Sequence, residues 1–229
     1  MKIYSERAYQ KWPSWHVVYE WEDVMSKELG CDIVTFGKGI CGKIKRKINR
    51  TLFDYFKIVK RYTWNPEKEY YLLWVMNAKN YSELPHRNVI PIFLDFPLDV
   101  VDTILKVTRD IPCFFVTCYD IYESLCTKGC QNVYYFPQCI SDKYYLNEMP
   151  AKKIDVVQFG RRNSKLHEYM FRFCEENPNT EYVYKSDDTT LAYVSNISGD
   201  LGCILTRGDY INLVSSSRVS LVSTPSCDD

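Results

Sequence analysis

The chain has 229 residues, 46% of them hydrophobic, which is enough for one large domain or two modest ones and too apolar for a disordered chain. Its 29 basic residues are balanced by 29 acidic ones, which argues against a dedicated nucleic-acid binder, because phosphate contacts need an excess of Lys and Arg. No apolar run approaches the roughly 20 residues that a membrane-spanning helix needs.

Residues 1–10 are polar, with Lys2, Glu6 and Arg7, and lack the apolar stretch of an export signal, so a cytoplasmic, reducing setting with free thiols is expected. Ser14 caps a predicted helix over residues 15–29, in which Val17, Val18, Trp21, Val24, Met25 and Leu29 recur at three- and four-residue spacing. Gly30 ends that helix, and Cys31-Asp32-Ile33-Val34-Thr35-Phe36 follows as a strand. A basic stretch (Lys38, Lys43, Lys45, Arg46, Lys47, Arg50) leads into an amphipathic segment over residues 52–59.

Tyr70-Tyr71-Leu72-Leu73-Trp74-Val75-Met76 and Val89-Ile90-Pro91-Ile92-Phe93-Leu94 are continuous apolar runs of strand length, the mark of strands buried on both faces of a parallel sheet. Pro97 suits the first turn of a helix over residues 98–109, with Val101, Ile104, Leu105 and Thr108 inward. A strand over residues 112–117 comes next, then a short helix for which Asp120 and Glu123 have capping-box spacing and which Gly129 ends. Asn132-Val133-Tyr134-Tyr135-Phe136 is a further strand, closed by Pro137. This alternation indicates a doubly wound α/β domain over residues 1–150, with a polar linker at residues 141–153.

The alternation restarts over residues 151–229. Ile154-Asp155-Val156-Val157-Gln158-Phe159 is a strand running into Gly160, and Ser164 opens a helix that Asn177-Pro178-Asn179 breaks. Tyr182-Val183-Tyr184 is a strand, residues 209–216 a short helix and residues 219–222 a last strand. Roughly 80 residues follow the linker, against a usual domain of about 100–150, so a second domain cut short is expected.

Three constellations bear on chemistry. Gly37-Lys38-Gly39-Ile40-Cys41-Gly42-Lys43-Ile44 fits the spacing of a phosphate-cradling loop after a strand, with Asp95 as a metal-side carboxylate, but Ile44 stands where a hydroxyl must reach the metal. Gly160-Arg161-Arg162-Asn163-Ser164-Lys165 joins a strand end to a helix start; the helix N-terminus offers N–H groups and positive dipole, and Arg161, Arg162 and Lys165 add donors suited to a diphosphate, although two arginines on a loop also suit plain solvation. The basic run with Phe53, Tyr55 and Phe56 reads either as a solvated helix face or as a peripheral contact with an anionic membrane surface through Lys43, Lys45, Arg46, Lys47 and Arg50. No cysteine pair has C-x-x-C spacing and no histidine has ligand or triad spacing, so no metal is expected.

Asp155-Val156-Val157-Gln158-Phe159-Gly160-Arg161-Arg162-Asn163 resembles the start of the donor domain of group-1 glycosyltransferases of the GT-B fold. Residues 207–214 and 217–221 look like that domain's helix and following strand, and Val133-Tyr134-Tyr135-Phe136-Pro137-Gln138-Cys139 like the turn before the interdomain linker. Residues 15–28, with Tyr19-Glu20-Trp21-Glu22-Asp23, look like the opening helix of a subgroup that builds bacterial surface polysaccharides.

The resemblance implies two Rossmann-like domains, the second incomplete, and sugar transfer from a nucleotide-diphosphate sugar to a glycan or lipid-linked acceptor, usually with retention, without metal or other cofactor. It implies Arg161 as a diphosphate ligand, Gly160 for close approach and Lys165 as a weaker donor, because the family's phosphate-binding Lys stands somewhat further along; it leaves the catalytic residue unassigned. Arg162 joins this set from the residue pattern alone, and Trp15 and His16, at an early helix start, mark the place expected for an acceptor cleft. The family's donor-site glutamates would lie beyond Asp229. The implied location is the cytoplasm, at the inner face of the membrane. The competing reading is a non-catalytic α/β domain that binds a nucleotide or anion.

Overall fold

Tyr71-Leu72-Leu73-Trp74-Val75 exposes no charged group on either side, so it forms a strand only if both faces are covered. The computed structural model, which describes residues 1–8, 15–35, 39–56, 60–76, 85–94, 96–160, 162–187 and 191–222, has this strand as β3 inside a six-stranded, all-parallel sheet. The strands are β1 (Lys2–Ser5), β2 (Ile33–Thr35), β3 (Tyr71–Val75), β4 (Val89–Phe93), β5 (Phe114–Val116) and β6 (Val133–Tyr135), in the order β2-β1-β3-β4-β5-β6. The chain divides into two units, Met1–Ser141 and Asp142–Asp229, and this sheet belongs to the first.

Alternate side chains of β3 and β4 go to opposite cores. Leu73, Val75, Val89 and Phe93 pack with helices α3 (Val101–Thr108) and α4 (Tyr119–Thr127) through Val101, Ile104, Val107, Ile121 and Leu125. Trp74, Ile92 and Leu94 pack on the other face with Trp15, Val18 and Trp21 of α1 (His16–Leu29) and the residue before it. Trp21 stacks on Trp74 at 4.9 Å between ring centroids.

Several elements differ from the sequence expectation. The opening segment, read as merely polar, contains β1, an interior strand whose Ile3 and Ser5 are fully buried. In α1 the buried residues are Val18, Trp21 and Glu22, while Val24 and Leu29 are about half exposed, so the helix is rotated from the all-apolar stripe. Its N-cap is Trp15 without a side-chain cap; Ser14, assigned that role, lies outside the described residues. Gly30 ends it at φ 60°, as expected of a left-handed C-cap. The basic stretch and the amphipathic segment are one helix, α2 (Ile40–Phe56), because the isoleucines at 40, 44 and 48 continue a helical period through the cations. The capping box at Asp120 is not formed: the N-cap of α4 is Cys118, and Asp120 sits in the first turn.

The second unit carries a five-stranded mixed sheet of β7 (Ile154–Gln158), β8 (Tyr182–Lys185), β9 (Ala192–Ser195), β10 (Gly199–Cys203) and β11 (Ser217–Leu221), in the order β10-β9-β8-β7-β11. β7 is parallel to β8 and β11, whereas β8, β9 and β10 run antiparallel, with a bulge between Asp200 and Gly202. The β9–β10 hairpin was not anticipated, so this sheet is larger and less purely parallel than expected. Helices α5 (Ser164–Glu176) and α6 (Arg207–Ser215) make the connections, and Val157, Val183, Tyr193 and Leu213 form the core. The chain is therefore an α/β protein in two units, and among the described residues no helix is long and apolar enough to cross a membrane.

Two tests follow from this packing. Trp74 is 1% exposed, so Trp74→Ala is expected to cost about 3–5 kcal/mol in urea unfolding followed by far-UV circular dichroism. His86 lies against Tyr62, and burial, with the charges of Lys60 and Lys45, lowers its pKa to about 4. The unfolded chain then takes up the proton first, so stability is full above about pH 6.5 and falls by up to about 3 kcal/mol toward pH 4. His86→Phe is expected to flatten that part of the unfolding profile; an unchanged profile would show that His86 is not its source.

Candidate functional site

Open parallel sheets bind ligands beyond the carboxyl ends of their strands, where the strand order reverses. In the second unit that reversal lies between β7 and β11, and the turn leaving β7 is residues 159–163. Gly160 adopts φ 80°, a backbone state that disfavours a side chain, and a Cβ there would meet nothing within 4 Å, so the turn is open above it. Asn163, not Ser164, caps α5: its Oδ1 accepts from the Leu166 N–H at 2.8 Å. The other first-turn N–H groups have no acceptor within the helix. Arg162 is half-buried and donates from Nη1 to the Ser186 carbonyl at 3.1 Å, which ties the turn to the end of β8. Lys165 is exposed in the first turn, and Arg161 lies outside the described residues.

Beneath this turn is a polar floor, of which the sequence signalled only His167, by its place in the first turn after the arginine pair. The Tyr182 hydroxyl donates to Gln158 Oε1, so its oxygen accepts from His167 Nδ1 at 3.1 Å, which assigns His167 the Nδ1–H tautomer. His167 is held below its usual pKa by burial and then by the Arg162 charge, so the ring is neutral at pH 7. It also meets Phe171 and Tyr184 at 4.7 and 4.6 Å between centroids. Gln158 is 1% exposed, and its Nε2 finds no hydrogen-bond partner among the described residues, an uncompensated donor at the end of β7. These groups are chemically suited to grip an anion: backbone N–H groups, a helix N-terminus and cationic side chains above a neutral, hydrogen-bonded floor.

In the first unit the strand order reverses between β1 and β3. At the carboxyl end of β1, Arg7 donates to Glu22 Oε2 from Nη2 at 2.9 Å, to Asp23 Oδ1 from Nη1 at 2.8 Å and to Ser5 Oγ from Nε at 3.1 Å. The Ser5 hydroxyl donates to Glu22 at 2.5 Å, and the guanidinium lies 5.3 Å from the Tyr19 ring centroid. Glu22 is 1% exposed, and burial raises its pKa despite the opposing bonds from Ser5 and Arg7. None of Ser5, Arg7 or Glu22 was singled out by sequence as a site residue, because recognising them requires β1. Of the residues assigned to an acceptor cleft, His16 is exposed in the first turn of α1, whereas Trp15 is 4% exposed and is a core residue.

The spacing of a phosphate-cradling loop near Gly37 does not build such a loop. Gly39 has φ 88° and α2 starts at Ile40, so Ile40, Cys41, Gly42 and Lys43 are helical and their amides point along the helix axis instead of converging. Gly37, Lys38 and Asp95 lie outside the described residues. Among the described residues there is no cluster of three or more His, Cys, Asp or Glu placed to hold a metal, and the nine of the ten cysteines that are described are free. No protein-family model matches the chain, and no curated protein or solved structure shows significant similarity to it.

A double-mutant cycle tests the first-unit network. Arg7→Ala leaves a buried carboxylate without its cation and is expected to cost about 2 kcal/mol, below the roughly 3–5 kcal/mol of a fully buried pair because Arg7 is one third exposed. In a Glu22→Gln background the same change is expected to cost less than half as much; equal costs would show that the two side chains act independently.

Proposed function

We propose that the chain transfers a sugar from a nucleotide-diphosphate sugar to a glycan or lipid-linked acceptor as a GT-B glycosyltransferase, with the donor diphosphate on the turn between β7 and α5. The observation that carries this reading is the coincidence at one strand end of an open Gly160, an Asn163-capped helix start and the cations Arg162 and Lys165. Arg161, one residue before Arg162, is assigned to the same diphosphate from its place in the sequence. Such a site needs no metal, because guanidinium groups and the helix N-terminus stabilise the charge that builds on the leaving diphosphate. Retention at the sugar carbon follows from the resemblance, as does action at the cytoplasmic side of a membrane in surface-polysaccharide assembly. The orphaned Gln158 Nε2 favours a bound partner at this strand end and equally suits the second reading, a non-catalytic domain that holds a nucleotide or anion.

Calorimetry with UDP and GDP tests the shared part. Binding is expected, and Arg161→Ala and Arg162→Ala are each expected to weaken it at least about tenfold, the value of one charge-assisted hydrogen bond. Absence of binding to any nucleoside diphosphate, or binding indifferent to both changes, would sink the proposal. Release of UDP or GDP from the corresponding sugar conjugate in the presence of lipid-linked acceptor separates the transferase from the binding domain.

A further inference from the structure

Of the described side chains of α2, Asn49 alone is buried, and it faces the body of the first unit, where its Oδ1 accepts from Lys60 Nζ. The helix nevertheless carries a full apolar face. Ile40, Ile44, Ile48 and Tyr55 are 77, 54, 55 and 80% exposed. At about 100° per residue, Ile40, Ile44, Ile48 and Leu52 advance by about 40° at each step and Tyr55 falls among them, so they span an arc of about 120°; Cys41 and Thr51 also lie within it, and the Thr51 hydroxyl is turned back to the Lys47 carbonyl at 2.9 Å. Lys43, Lys47 and Arg50 line one edge of this arc and Lys45 the other. The helix holds five basic residues against the single acid Asp54, although the chain as a whole has equal numbers of each.

Four large apolar side chains held in water on one stripe cost free energy unless something covers them. The cations on both edges select the cover. A second copy would bring like-charged edges together, which is unfavourable. An anionic lipid surface accepts the isoleucines at the acyl boundary and the lysines and arginine among its headgroups, with the helix lying in the plane and its buried edge turned to the protein. At about 1.5 Å per residue the helix gives a contact about 25 Å long.

We infer that α2 is an in-plane membrane helix that docks the first unit onto an anionic lipid surface, through the face formed by Ile40, Ile44, Ile48 and Tyr55. This stands apart from the transferase reading and holds whether or not the chain moves sugar.

Flotation of the full chain with vesicles tests it, using phosphatidylcholine alone and phosphatidylcholine with about one third phosphatidylglycerol. Binding to the anionic vesicles is expected, with little to the neutral ones, and it should fall as salt screens the cations. Ile44→Glu with Ile48→Glu should abolish flotation. Lys43→Gln with Lys47→Gln should weaken it by about fivefold per charge, the value of one surface cation near an anionic leaflet. The substituted positions are exposed, and far-UV circular dichroism confirms that each variant is folded. The assignment is overturned if the chain stays in the aqueous fraction with both vesicle types, or if the isoleucine variant floats as well as the parent. It is also overturned if the chain ignores vesicles and forms a dimer in sedimentation that the isoleucine variant dissolves, which would give the face to a second copy.

Discussion

The burial of β3 and β4 on both faces governs the first unit. A strand with no polar side to show to water obliges the chain to supply cover above and below, and it does so with α1 on one side and α3 and α4 on the other. Trp74 marks how closely that cover fits: it meets Trp21 from α1 and the edge of Phe136 beyond β6. Because helices occupy both faces, the polar groups that lie on the sheet itself are pushed to the strand ends. Ser5 and Glu6, both buried, stand at the carboxyl end of β1, beside the reversal of strand order.

The same logic operates in the second unit with less apolar material. Its core is small, and the sheet is completed by an antiparallel hairpin instead of further helix-covered strands. Here too the polar residues gather where β7 and β8 end, and the Tyr182 hydroxyl links Gln158 to His167 across elements. A hydroxyl that gives to an amide and receives from an imidazole fixes both partners' orientation, so the floor of the turn is set before any ligand arrives.

What could be read from sequence follows the density of local signal. β3 and β4 were legible because their apolar runs are continuous, and α5 because a strand, a glycine and a capped periodic helix stand in succession. β1 was not, since Ile3 is its only aliphatic residue and its interior place comes from pairing with residues about 30 and 70 positions away. In α2 the cations concealed a helix whose isoleucine period runs beneath them, and the glycines at 37, 39 and 42 suggested a loop. The Gly160–Lys165 turn was visible as a string of residues; its tie to Ser186 and its floor at Tyr182 were not, because each depends on a contact some 15 to 24 positions away.

The outer strand of the second sheet has a consequence of its own. β10 leaves one row of backbone amides and carbonyls facing away from β9, the kind of edge onto which a strand from another molecule can add. The shift in register between Asp200 and Gly202 puts that row out of step midway, and Gly199 and Gly202, both at positive φ, twist it further. The Asp200 carboxylate accepts from the Gly202 N–H across the bulge and holds that irregular geometry. The irregularity that makes β10 a poor strand thus also makes this edge a poor template for a further strand.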